Sequence, residues 1–120
     1  MEKRTVVITG MGTVNPVGNT VAESWAAVRR GDCGVGPITH YDTADMKVKL
    51  ACEVKNLDID GLLGKREAKK MDRFTQLALI AADECMADAG LDREQENLDR
   101  CGVLLSSGIG GFETVETAHR

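Results

Sequence analysis

The chain has 120 residues, with 15 Lys or Arg against 19 Asp or Glu, for a net charge of −4. That length holds one domain rather than two, and 42% hydrophobic residues with 13 glycines fall within the globular range. The acidic balance and the scarcity of aromatics (Trp25, Tyr41, Phe74 and Phe112) argue against nucleic-acid binding, which needs a basic face or a stacking platform.

The longest apolar run, from Leu77 to Ala82, falls far short of the ~20 residues of a membrane span. The charged start followed by a short apolar stretch does not make a signal peptide, so a cytoplasmic location is expected. Cys33, Cys52, Cys85 and Cys101 include no Cys-x-x-Cys pair, and only His40 and His119 could join them. Reduced thiols fit this spacing better than a zinc site.

In chain order, the β-branched residues 5–9 close on Gly10 and read as a buried strand. Gly10, Gly12, Asn15, Pro16 and Gly18 then form a turn-rich loop. Thr20 and Glu23 have the spacing of a capping box, and Val21, Trp25 and Val28 recur at helical spacing, so residues 20–30 form a helix stopped by Gly31. Residues 31–45 read as loop, and residues 46–54 alternate weakly, as in a half-exposed strand. From 65 to 89 the apolar stripe Met71, Phe74, Ala78, Ala81 and Cys85 predicts one long helix ended by Gly90. Residues 101–106 read as a second buried strand, with Cys101 at its start, and Phe112 resumes a helical pattern. Two buried strands separated by helices predict a parallel α/β sheet. Two strands cannot cover both faces of such a sheet, and no cap follows His119 and Arg120. Residues 1–120 are therefore expected to be the N-terminal piece of a larger α/β protein.

Gly10 and Gly12 invite a dinucleotide reading, in which glycines bring backbone against a pyrophosphate at a helix N-terminus. Asn15 stands at the third glycine position, and the helix begins late, after Pro16. The plainer alternative is that these glycines permit a tight exit from the strand.

Residues 5–18, followed by a helix with a Trp, closely resemble the opening of the β-ketoacyl-acyl carrier protein synthases, the elongating type II condensing enzymes of fatty acid synthesis. Residues 65–74 resemble the same family's basic segment, and Ser106 to Gly111 its glycine-rich loop. The three fall in the family's order and at about its spacing. The resemblance implies an α/β fold, the N-terminal portion of a thiolase-like layered αβαβα architecture. It also implies a homodimer that condenses an acyl thioester with malonyl-acyl carrier protein, without cofactor or metal.

In that family a cysteine carries the acyl chain and two histidines assist decarboxylation; a thiolate suits the task because it attacks and leaves readily. No cysteine here stands in the family's small-residue motif, so no catalytic residue is expected in this chain, and the Cys-His-His site is expected beyond residue 120. Cys85 reads as packing and Cys33 as an exposed loop thiol. Lys65, Arg66, Lys69, Lys70 and Arg73 match the positions where the family docks acyl carrier protein, acyl- or malonyl-loaded. On one helix, Arg66, Lys69, Lys70 and Arg73 would share a face; from spacing alone a solvated surface is the plainer reading, and the resemblance reverses that preference. Gly108, Ile109, Gly110 and Gly111 match the end of the family's acyl pocket. The alternative functions are the nucleotide-binding half of a Rossmann-like oxidoreductase, and a free-standing module that binds acidic partners through its cations.

Overall fold

The computed structural model describes residues 3–119. Its first helix, α1 (Val21–Arg30), forms where Thr20 leaves extended backbone and its hydroxyl accepts the N–H of Glu23 at 3.2 Å. The Glu23 carboxylate accepts from the Asn19 N–H at 2.8 Å, one residue further back than a strict capping box. Gly31 ends the helix in the left-handed conformation, φ 77°, with Arg29 and Arg30 beside the negative end of the helix dipole. Helix, cap and stop agree with the sequence. The buried face does not: it is made by Ser24 and Ala27, while Trp25 and Val28 point outward.

Two short strands follow, β1 (Val35–Pro37) and β2 (Leu50–Cys52), paired antiparallel with Gly36 opposite Ala51. This hairpin is the sheet of the described residues, so the parallel sheet expected from the sequence is corrected. The strand expected over 46–54 shrinks to its middle, and the loop expected over 31–45 contains β1. Pro37 sits at the last paired position, where its missing N–H costs the ladder least.

The long helix expected over 65–89 is interrupted. After α2 (Ile59–Leu63), Gly64 turns the chain at φ 79° into α3 (Lys65–Ala68). A turn then leads to α4 (Arg73–Asp88). The break falls at Asp72, whose backbone is extended (φ −66°, ψ 155°) and whose carbonyl accepts from Thr75 and Gln76 at 3.0 and 3.1 Å. Aspartate is a weak interior helix residue, and the extended backbone at Asp72 ends one helical path before its carbonyl begins the next. Gly90, left-handed at φ 66°, follows the end of α4 as expected. A single 3-10 turn (Leu98–Arg100) precedes the last helix, α5 (Phe112–His119).

Residues 5–9 and 101–106, expected as buried core strands, belong to no sheet in this structure. Val6 is 92% exposed and Leu104 98% exposed. A parallel strand gains stability from neighbours on both edges and helices on both faces, and none of the described residues supplies them. Among the described residues, the buried apolar side chains are Ala27, Ala68 and Ile80. The accessible surface is 10289 Å², against ~6,300 Å² expected for a compact monomer of this mass. The radius of gyration, 17.7 Å, likewise exceeds the ~14 Å of a closed domain of this length. Among the described residues, no helix is long and apolar enough to cross a membrane.

Candidate functional site

The N-terminal glycine loop lies against α4. A side chain at Gly10 would overlap the Cys85 carbonyl and Ala89, and one at Gly12 would overlap the Ala81 carbonyl. These glycines therefore serve helix packing rather than a pyrophosphate. Two of the loop's N–H donors, and one at the mouth of α1, are also held by carboxylates. Met11 N donates to Asp88 Oδ2 at 2.9 Å and Thr13 N to Glu84 Oε2 at 2.9 Å. Val21 N, at the mouth of α1, donates to Glu84 Oε1 at 2.8 Å. A phosphate bound by those donors would have to displace protein carboxylates, so the dinucleotide reading loses its physical basis.

Asn15 locks the same loop from the other side. Its Nδ2 donates to Thr13 Oγ1 at 3.2 Å and Ser24 Oγ at 2.7 Å, and its Oδ1 accepts from Val17 N at 2.9 Å. The roles of Glu84 and Asp88 escaped the sequence reading. Their signal is two acids four apart on a largely apolar helix, a spacing that puts both on one face. Cys85 packs here as expected, with Sγ 3.4 Å from the Gly10 carbonyl oxygen. Cys33, Cys52 and Cys101 are exposed; Cys101 was expected at the start of a buried strand, and that expectation fails with the strand. His40 is exposed, its Nε2 4.0 Å from Glu53 Oε1, and His119 ends α5.

The basic segment is shorter in regular structure than expected. Lys65 and Arg66 lie on α3, Lys69 and Lys70 in the turn, and Arg73 opens α4. The shared face of one continuous helix is thus corrected, because the chain turns between Lys69 and Asp72. The turn is held by Gln76, whose Nε2 donates to the carbonyls of Ala68 at 2.8 Å and Met71 at 3.2 Å. Lys70 is not a free cation: its Nζ lies 2.6 Å from Glu67 Oε1. Lys65, Arg66 and Lys69 are exposed, and Arg73 is half-buried.

Just across from this turn is the second glycine loop. Ser107 Oγ accepts from Gly110 N at 3.0 Å, and Gly110, φ 73°, lies against the Phe74 ring. Gly111 abuts the Asp72 carboxylate, which also accepts the Thr114 hydroxyl hydrogen. Together, the start of α4 and α5 line an open cleft of about 630 Å³. Gly110 and Gly111 line it with Asp72, Arg73 and Gln76; Gly108 and Ile109 do not, and Ile109 is 78% exposed. The structure therefore brings one end of the expected docking segment and one end of the expected acyl-pocket loop to the same place.

Known proteins match this chain along its whole length. The family model described as beta-ketoacyl synthase, N-terminal domain, matches residues 3–120. The 3-oxoacyl-[acyl-carrier-protein] synthase 2 of Staphylococcus aureus strain COL is 47% identical over 119 residues, 99% of this chain and 29% of that protein. The protein of that name from Vibrio cholerae serotype O1 is 44% identical over 120 residues, 100% of this chain and 29% of its own length. Among solved structures, the ishigamide ketosynthase/chain length factor superposes with a TM-score of 0.67 at 34% identity. That superposition covers 73% of this chain and 22% of that one. The chain thus spans less than a third of the curated relatives it matches. The likeness bears out the expected fold, an N-terminal portion of the thiolase-like α/β architecture. With its first loop, basic segment and second glycine loop all inside the matched span, the chain belongs to the β-ketoacyl synthase family.

Proposed function

We propose that these residues are the N-terminal part of a 3-oxoacyl-[acyl carrier protein] synthase, a cytoplasmic homodimeric acyltransferase of fatty acid elongation. The reaction joins an acyl thioester to the carbanion left when malonyl-acyl carrier protein loses CO₂, through a Cys-His-His site beyond residue 120. Residues 1–120 supply part of one synthase domain, without catalytic side chains of their own. Their share is to receive the carrier at Lys65, Arg66, Lys69, Lys70 and Arg73, and to contribute Gly108, Ile109, Gly110 and Gly111 to the acyl pocket. The family match across residues 3–120 is the observation that carries this reading.

Local ion pairing distinguishes the five cations. Lys70 already has a counterion in Glu67, whereas Lys65, Arg66 and Lys69 are exposed. An acidic carrier is steered chiefly by charges that are not already neutralised. Arg66→Glu and Lys69→Glu in the full-length enzyme should each lower kcat/KM for carrier-bound substrates about tenfold at low salt. Lys70→Glu should do less. The losses should shrink as salt shortens the screening length to about 10 Å at 0.1 M, and small free thioesters should be turned over as before. Equal losses for carrier-bound and free thioesters would remove these cations from the docking surface.

A further inference from the structure

The expected carrier-docking segment and acyl-pocket loop meet at one carboxylate. Asp72 is half-buried at the start of α4, and its backbone carbonyl accepts from Thr75 N at 3.0 Å and Gln76 N at 3.1 Å. An aspartate in this position ordinarily turns its side chain onto the free N–H groups of its own helix. Asp72 makes no such side-chain cap. Its carboxylate instead accepts the Thr114 hydroxyl hydrogen and lies against Gly111, so closely that any side chain at 111 would overlap both oxygens.

The glycine loop is closed on itself at one point and tied to α4 at another. Ser107 Oγ accepts from Gly110 N at 3.0 Å within the loop, and the Asp72–Thr114 bond ties its far end to the start of α4. Ile109 lies between the two. On the other side of Asp72, Gln76 ties the first turn of α4 to the Ala68 and Met71 carbonyls, flanking Lys69 and Lys70.

We infer that Asp72, acting through Thr114, is a positioning residue that sets the acyl-chain preference of the enzyme by holding residues 108–111 against the start of α4. This rests on the synthase reading above. Asp72 touches no reacting atom; it governs where the end of the acyl pocket stands. A loop released at one anchor can move away from Phe74 and leave room for a longer chain. Pocket length discriminates by fractions of the burial of each methylene, so a small displacement alters the product range.

Thr114→Val in the full-length protein removes the hydroxyl and keeps the side-chain shape on an exposed helix. With short, medium and long saturated acyl-pantetheine thioesters, which bypass carrier docking, its ratio of long-chain to medium-chain kcat/KM should rise about fivefold or more. Thr114→Ser keeps the donor and should return the parent profile, which a purely steric role for Thr114 would not give. Amide hydrogen exchange at Gly110 and Gly111, read on the same proteins, should quicken in Thr114→Val and not in Thr114→Ser. An unchanged chain-length profile with unchanged exchange in Thr114→Val would overturn the inference, as would an equal change in Thr114→Ser. A parent protein that condenses nothing would defeat the synthase reading alone, and the exchange rates would still decide whether Asp72 holds the loop.

Discussion

Thr39 places two donors on one carboxylate. Its N–H lies 3.0 Å from Glu53 Oε1 and its hydroxyl 2.7 Å from Oε2, which ties the residues flanking β1 and β2 together. The hydroxyl first, then the backbone N–H, hold the Glu53 carboxyl below the ordinary glutamate value of 4.5, and nearby His40 adds a smaller pull. Because the fold favours the ionised form, the contribution is fully present above pH 4.5 and fades as pH falls through the lower folded value. Thr39→Val should raise the Glu53 pKa in a carboxyl NMR titration, and an unmoved titration would show that the hydroxyl does not hold it. Ile109 carries the second prediction at this scale. A β-branched side chain flanked by glycines makes a stiff stop, and each buried methylene is worth about 0.8 kcal/mol. In the intact enzyme Ile109→Ala should lengthen the accepted acyl chain and Ile109→Phe should shorten it. Unchanged product lengths in both variants would take Ile109 out of the pocket.

Among the elements, α4 does the most organising. Its outer end binds the first glycine loop through Glu84 and Asp88, and its inner end binds the second through Asp72. Glu84→Ala would strip the acceptor from both Thr13 N and Val21 N at half-buried positions, which should cost about 1–3 kcal/mol in the thermal or chemical unfolding of the full-length protein. Glu84→Gln keeps one acceptor and should cost less; equal stability in Glu84→Ala would mean that water replaces the carboxylate freely. Much of this scale was legible in the sequence. Thr20, Gly31 and Gly90 mark helix ends by local chemistry, and the structure honours each of them. The single helix over 65–89 was misread because Met71, Phe74 and Ala78 keep helical spacing across a turn, and periodicity cannot register a break that preserves phase. The site was legible as two separate motifs. Their meeting at Asp72 was not, because a contact between residues 72 and 111 leaves no trace in local spacing.

At the scale of the whole molecule, the segments at 5–9 and 101–106 carry apolar residues that the described chain leaves bare. Val6, Ile8, Val103 and Leu104 are all more than 80% exposed, whereas the buried apolar set among the described residues is limited to Ala27, Ala68 and Ile80. Contiguous apolar surface of this kind marks an interface awaiting cover or a site of aggregation. The apolar, β-branched run of these segments is plain in the sequence, but the buried strands expected from it do not form here; composition cannot say which residues will pack on them. The isolated 120 residues should therefore associate and melt without cooperativity. A monomeric peak in size-exclusion chromatography together with a sharp thermal transition would show that they close a core unaided.

The most direct measurement is a transplant. Residues 1–120 would replace the aligned segment of the Staphylococcus aureus 3-oxoacyl-[acyl-carrier-protein] synthase 2, to which they are 47% identical over 119 residues. If they form part of a β-ketoacyl synthase domain, the exposed segments at 5–9 and 101–106 find their partners in the remainder of that protein. The chimera should then fold and condense acyl and malonyl groups delivered on acyl carrier protein to a 3-oxoacyl product. A chimera that is soluble and cooperatively folded, yet forms no 3-oxoacyl product from either carrier-bound or free thioesters, would contradict the assignment.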